Sequence, residues 1–152
     1  MIEVYFDGLC QPRNPGGVAC YAYVVKKDGQ NIKMDYGVAC KPFSKDSTNN
    51  VAEYTALLKA LQWLDSNGYH SASIEVRGDS RLVVNQVNGE FKVKAKRLVP
   101  LYLAVSDLIK KFKLNIKWIP REENAEADRL SNVAYNKFLQ QNPRYLKELA
   151  KK

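Results

Sequence analysis

Asp7, Glu53, Asp79 and Asp128 are the acids whose positions suit them to chemistry. Asp7 closes the strand-like run Ile2-Glu3-Val4-Tyr5-Phe6, and Asp79 follows a second strand-like run at residues 73–77. Glu53 and Asp128 fall near the starts of two helical stretches. Carboxylates gathered in one place repel each other and hold their protons more tightly unless a cation neutralises them. Mg2+ suits such a set, because it takes hard oxygen ligands, keeps several waters and shares its remaining positions with phosphate. Two such ions can activate a water on one side of a phosphodiester and stabilise the leaving oxygen on the other, with no nucleophilic side chain. The rest of the chain fits that chemistry, since it offers one histidine, His70, and no Ser-His or Cys-His grouping. Each acid also has a structural reading. Asp7-Gly8 can be a turn dipeptide, Glu53 the third residue of a capping box begun at Asn50, Asp79 an N-cap, and Asp128 an exposed acid beside Glu126 and Arg129.

The elements that must position these acids can be read from the hydrophobic period. Residues 18–26 and 31–39 alternate as strands around Lys27-Asp28-Gly29-Gln30, and an Asp-Gly step between such runs signals a hairpin. Residues 12–17, with two prolines and two glycines, form a loop. From Ala52 to Leu64 the spacing becomes helical through Ala56, Leu57, Ala60 and Leu61, with Asn50 as N-cap and Asn67-Gly68 as the stop. A strand at 73–77 leads into a helix from Asp79 to about Val87, and a further helix is predicted over 97–112 with Pro100 in its first turn. A strand at 114–119 ends at Pro120, and residues 124–139 form the last helix. The order β-β-β-α-β-α-α-β-α predicts an α/β domain, one five-stranded mixed sheet with helices on both faces. Sites in open sheets gather beyond the carboxyl ends of parallel strands, where Asp7 and Asp79 stand if their strands are neighbours.

Bulk properties narrow the class. With 152 residues, 45% hydrophobic and 26% charged, the chain fits a single globular domain. We take residues 1–139 as its catalytic part and residues 140–152 as a basic tail of the same domain. No apolar stretch approaches a membrane span and no signal peptide is evident, so a cytoplasmic protein is expected. Cys10, Cys20 and Cys40 are an odd number without a CxxC pair, which argues against a disulfide framework and a zinc site. The net charge of +8 concentrates at residues 92–97, 110–117 and 144–152; each cluster alone reads as a solvated face, but together they favour a nucleic-acid partner. Tyr21, Tyr23, Trp63 and Trp118 sit in strand or helix patterns and are assigned mainly to the core.

Tyr5-Phe6-Asp7-Gly8 with Asn14-Pro15-Gly16-Gly17, Thr48-Asn49-Asn50 with Glu53, Gly78-Asp79-Ser80 and Asn124-Ala125-Glu126-Ala127-Asp128 resemble, in order, the motifs of ribonuclease HI. The resemblance runs from Ile2 to about Phe138. It implies that Asp7, Glu53, Asp79 and Asp128 are the catalytic carboxylates, holding two Mg2+ (or Mn2+) ions with Asp7 between them. It implies hydrolysis of the RNA strand of an RNA–DNA hybrid to 5′-phosphate and 3′-hydroxyl ends. Cys10, Asn14, Asn49 and Asn50 match positions that reach into the minor groove, where the 2′-hydroxyls of RNA are displayed. Thr48 matches a contact to the DNA strand's phosphate, and Gly8, Ser80, Arg81, Lys94, Lys96, Arg97 and Asn124 complete the expected substrate-binding set. A monomer is expected.

The chain also departs from the bacterial pattern. The loop before the last aspartate, Pro120-Arg121-Glu122-Glu123, lacks the bacterial histidine, leaving Arg121 or Glu123 as the candidates to cover its role. Arg81 stands where glutamine is common, and the basic protrusion is reduced to residues 88–97. These features resemble the archaeal-type branch. They leave two other readings in view: a nuclease of the same fold that also cuts double-stranded RNA, and a non-catalytic hybrid-binding module. Retention of all four carboxylates weighs against the second.

Overall fold

In the computed structural model, which describes residues 1–145, Asp28 and Gly29 both take positive φ, 52° and 82°. That is the twist a two-residue hairpin loop requires, so β2 (Val18–Lys27) returns directly as β3 (Gln30–Val38). β1 (Ile2–Gln11) pairs antiparallel with β2 on one side and parallel with β4 (Ser73–Gly78) on the other. β5 (Lys113–Trp118) extends the parallel half, giving the order β3-β2-β1-β4-β5. Each parallel join needs a crossover. α1 (Asn49–Ser66) lies on the path from β3 to β4, and α2 (Arg81–Val87) with α3 (Val99–Ile109) lies on the path from β4 to β5. α4 (Ala125–Gln141) follows β5.

Strand alternation sorts the core into two layers. Ile2, Val4 and Phe6 with Tyr21, Tyr23 and Val25 pack in one cluster with Leu57, Leu61 and Leu64 of α1. Ala22 and Val24 pack with Leu130, and Val18 and Cys20 with Ala134 and Phe138, all on α4. The sheet is thus covered on both faces, and β2 is buried on both, which accounts for its unbroken apolar run. The cysteines are free. Tyr21 and Tyr23 are core residues, as expected, and Trp63 and Trp118 are partly buried against the same core.

Helix starts differ from the sequence expectation in ways that matter for the site. α1 is capped by Thr48, whose Oγ1 accepts from Val51 N at 3.1 Å, and not by Asn50. Glu53 therefore sits beyond the first turn and is no capping-box partner. α2 is capped by Ser80, whose Oγ accepts from Val83 N at 3.2 Å, so Asp79 is spared that duty. Three consecutive cap-capable residues, Thr48-Asn49-Asn50, made the choice ambiguous in sequence; the extended backbone at Thr48 decides it. The helix expected over 97–112 divides into a 3-10 turn, Lys96–Leu98, and α3. Of the basic tail, Tyr145 stacks on Phe138 and packs on Phe43, while residues 146–152 lie outside the described residues.

Candidate active site

The parallel pairing of β1 with β4 ends at Phe6 opposite Gly78, so Asp7 and Asp79 are the next residues on two adjacent strands. α1 rests on β1 close enough to bring Glu53 to the same place. One carboxylate oxygen from each of Asp7, Glu53 and Asp79 lies within 4.8 Å of the others. Asp7 and Glu53 are buried and Asp79 is half-buried. Asp128, on the early part of α4, stands outside that tight trio but beside Asp7, whose proton it helps to retain. The four acids border a common cleft of about 400 Å3, which Gly8, Cys10, Asn49, Ser80 and Arg121 also line.

The electrostatics are those of a site short of positive charge. Burial, then the charges of Asp79 and Asp128, push Asp7 up to about 8, against the single bond its Oδ1 accepts from Gly8 N at 2.8 Å. Burial, then Asp7 and Asp79, raise Glu53 well above the carboxylate range, and its Oε2 has no hydrogen-bond partner among the described residues. Burial raises Asp79 as well, opposed by a bond from Asn124 and by the Arg121 guanidinium. Hard anionic oxygens, one of them orphaned, fit a divalent cation better than they fit each other.

Without a cation the folded state holds protons that the unfolded chain has released. The contribution of Asp7 to stability is then fully present below the ordinary value of 3.8 and is lost as pH rises toward about 8. Thermal melts in EDTA should therefore drop from pH 5 to pH 8 by the equivalent of a few kcal/mol. Mg2+ should restore more stability at pH 8 than at pH 5; a flat EDTA profile would contradict the raised proton affinity.

The expected substrate residues divide by place. Asn14, Thr48, Asn50 and Arg97 line a neighbouring cleft of about 240 Å3 with Pro15, Ala95 and Leu98. Asn14 Oδ1 accepts from Asn49 N at 3.1 Å, tying the glycine-rich loop to the start of α1. Lys94 and Lys96 are exposed on the loop beyond. One residue departs from expectation, and two others have partners within the protein. Asn124 is buried, donating from Nδ2 to Phe6 O at 2.9 Å, so it braces the sheet end and Asp79 from inside and is not a surface for substrate. The Arg81 guanidinium lies 3.9 Å from the centre of the Trp118 ring, and that indole donates to Asp79 O at 3.2 Å. The Cys10 thiol is packed 3.2 Å from the carbonyls of both Arg13 and Ser47.

Of the two candidates for the missing histidine, Arg121 borders the carboxylate cleft, whereas Glu123 lines a smaller pocket with Tyr5, Lys26 and Glu126. His70 is bonded to Asp65 at 2.7 Å and stacked on Phe112, and does not border the cleft. The sequence reading missed Asn132, a cleft residue whose Nδ2 donates to Asp128 O at 2.9 Å. Its position four residues after Asp128 on one helix face was the available signal.

A five-stranded mixed sheet with acids gathered where the parallel pairing of β1 with β4 ends, β1 itself running on past Asp7, defines a ribonuclease H-like domain. The reverse transcriptase-like family matches residues 12–134, and the chain belongs to it. It is 40% identical over 122 residues to a bifunctional protein of Mycobacterium tuberculosis, covering 80% of this chain but only 32% of that one. The chain thus spans about a third of the length of that relative. It is 33% identical over 134 residues to ribonuclease HI of the archaeon Halobacterium salinarum, covering 88% of this chain and 63% of that one. The LC11 ribonuclease H1, solved in complex with an RNA/DNA hybrid, superposes with a TM-score of 0.80 at 33% identity, covering 91% of this chain and 99% of that chain. The Halobacterium relative and the LC11 structure carry the name ribonuclease H. No helix among the described residues is long and apolar enough to cross a membrane.

Proposed function

We propose that this chain is a divalent-metal-dependent endoribonuclease that hydrolyses the RNA strand of RNA–DNA hybrids, leaving 5′-phosphate and 3′-hydroxyl ends. The observation that carries the reading is the trio Asp7, Glu53 and Asp79, with oxygens within 4.8 Å in a cleft where burial and mutual repulsion disfavour their charge. Two Mg2+ (or Mn2+) ions are the proposed cofactors, held by this trio and Asp128. When bound, they would supply Lewis-acid activation of water and of the scissile phosphate.

The protein's own part is placement. Asp7 is fixed by Gly8 N, Asp79 by Asn124 and by the Trp118 indole at its carbonyl, and Asp128 through Asn132 at its carbonyl. Arg121 offsets the charge of Asp79 and faces the cleft that would receive the phosphate. Asn49 at the main cleft, with Asn14 and Asn50 at the neighbouring one, suits the 2′-hydroxyls of RNA, because an amide both donates and accepts. Residues 1–139 form the catalytic unit in this proposal and 140–152 its tail, acting as a monomer in the cytoplasm.

The test is a panel of labelled RNA–DNA hybrid, duplex RNA and duplex DNA incubated with Mg2+, Mn2+ or EDTA. Cleavage confined to RNA strands and abolished by EDTA is expected, with hybrid cut fastest. Cutting of duplex RNA would widen the substrate class, while cutting of duplex DNA at a comparable rate, or any cutting in EDTA, would refute the proposal. Lys94 and Lys96 are assigned to phosphate binding on this reading. The paired Lys94→Ala and Lys96→Ala variant should flatten the slope of log affinity against log salt by roughly 0.9 for each phosphate that is no longer neutralised. An unchanged slope would remove them from the interface.

A further inference from the structure

Gln86 is a buried amide that the catalytic site does not use. It lies on α2 at 3% exposure, deep among the apolar residues that pack between α1, α2 and α3. Its Oε1 accepts from the Tyr54 hydroxyl at 2.6 Å, and its Nε2 donates to the backbone carbonyl of Lys92 at 3.2 Å. Tyr54 is itself fully buried and follows Glu53 in α1, so one helix places a carboxylate in the cleft and a phenol in the core. A buried amide left unpaired is costly, and an apolar residue of similar shape would fill the space without that risk. Both functional ends of Gln86 are used, and one of them reaches out of the core to a loop.

That loop carries Lys92, Lys94, Lys96 and Arg97 between α2 and the buried Leu98. Its first part is held by Glu90 N and Phe91 N, both donating to Asn85 O. Its far end is held by Leu98 in the core and by Leu98 N donating to Ala95 O. Gln86 carries the first of these anchors one residue further, to the Lys92 carbonyl, where the basic stretch begins. Fixing the point where the lysines begin shortens the span that must be ordered when they meet a polyanion, so less conformational entropy is lost on binding.

We propose that Tyr54 and Gln86 form a strut that sets the basic loop in register with the catalytic helix, making Gln86 a positioning residue for nucleic-acid binding. The inference rests on the proposed function, in which this loop grips the substrate. Because Tyr54 and Glu53 are neighbours on α1, the strut ties the grip and the cut to a single rigid element.

Gln86→Met keeps the approximate volume and removes both hydrogen bonds; Tyr54→Phe removes only the phenol. In Gln86→Met, hydrogen exchange over residues 89–97 should accelerate. KM for hybrid should rise about tenfold, the scale expected for losing one such anchor, with kcat held within about twofold. Tyr54→Phe should move both readouts in the same direction by less. Unchanged loop exchange in Gln86→Met, or a fall in kcat at constant KM, overturns the strut. The paired Lys94→Ala and Lys96→Ala variant separates the strut from the grip. If it raises KM and Gln86→Met does not, the strut fails and the grip stands. If neither variant changes KM while exchange in Gln86→Met accelerates, the grip fails and takes the strut's functional role with it.

Discussion

Asp7→Asn is expected to lose metal-dependent cleavage by on the order of a thousandfold or more, yet to melt at a higher temperature than the parent when no divalent ion is present. The two effects share one cause. Asp7 is the carboxylate at which Asp79 and Asp128 add their repulsion, and it is buried with only the Gly8 amide to hold its charge. Asparagine is nearly the same shape and can still accept from Gly8 N, but it carries no charge to repel its neighbours or attract a cation. Metal-free protein at pH 7.5 should gain stability, and the fall in stability from pH 5 to pH 8 should become shallower. Added Mg2+ should stabilise the parent far more than the variant. Asp79→Asn should cost as much activity but gain less stability, since Asn124 and Arg121 already relieve that charge. Single-turnover cleavage paired with melts in EDTA and Mg2+ gives both numbers. Cleavage at the parental rate would end the catalytic assignment of Asp7, and a variant that melts lower in EDTA would contradict the electrostatic account.

The parts of this design that lie in short stretches of chain could be read from the sequence. The Asp28-Gly29 hairpin, the apolar period of α1 and the stop at Asn67-Gly68 each depend on a few neighbouring residues, and each is present. The meeting of Asp7 with Asp79 required one further step, that their strands be parallel neighbours, and the sheet order supplies it. What could not be read depends on partners far apart in the chain. Asn124 looks like a helix-start residue among other polar residues, but its amide donates to Phe6 O, 118 positions away. Arg81 reads as a free cation until Trp118, at the end of β5, is placed beneath it. Gln86 reads as one polar residue in a short helix, because nothing local reveals that Tyr54 and the Lys92 carbonyl lie at its two ends. Cap choice was local but degenerate, and the backbone angles at Thr48 resolved it.

Gly8→Ala should cost the protein about 3 kcal/mol or more of stability. Sequence suggested a turn or a substrate contact for this glycine, and it does border the cleft, but its stronger constraint is packing. A Cβ at Gly8 would stand 2.4 Å from Glu53 N, 2.5 Å from Ala52 C and 2.7 Å from Ala52 Cβ. Two of those atoms are backbone of α1, so no side-chain rotation relieves the clash and the helix itself must move. The segment displaced is the one that carries Glu53, which would be pushed away from Asp7 on the strand beneath it. Ligand sets for small cations and in-line phosphoryl chemistry tolerate little misplacement, so cleavage should fall about a hundredfold even where the variant remains folded. Gly29→Ala is the matching control. Its φ of +82° makes alanine strained there, but no atom lies within 4 Å of the added carbon. It should cost about 1 kcal/mol and leave cleavage untouched. If Gly8→Ala melts and cleaves as Gly29→Ala does, contact between β1 and α1 is not what sets the distance from Asp7 to Glu53. If Gly8→Ala loses cleavage at temperatures well below its own melt, while Gly29→Ala does not, the placement of α1 on Gly8 is what holds the carboxylates together.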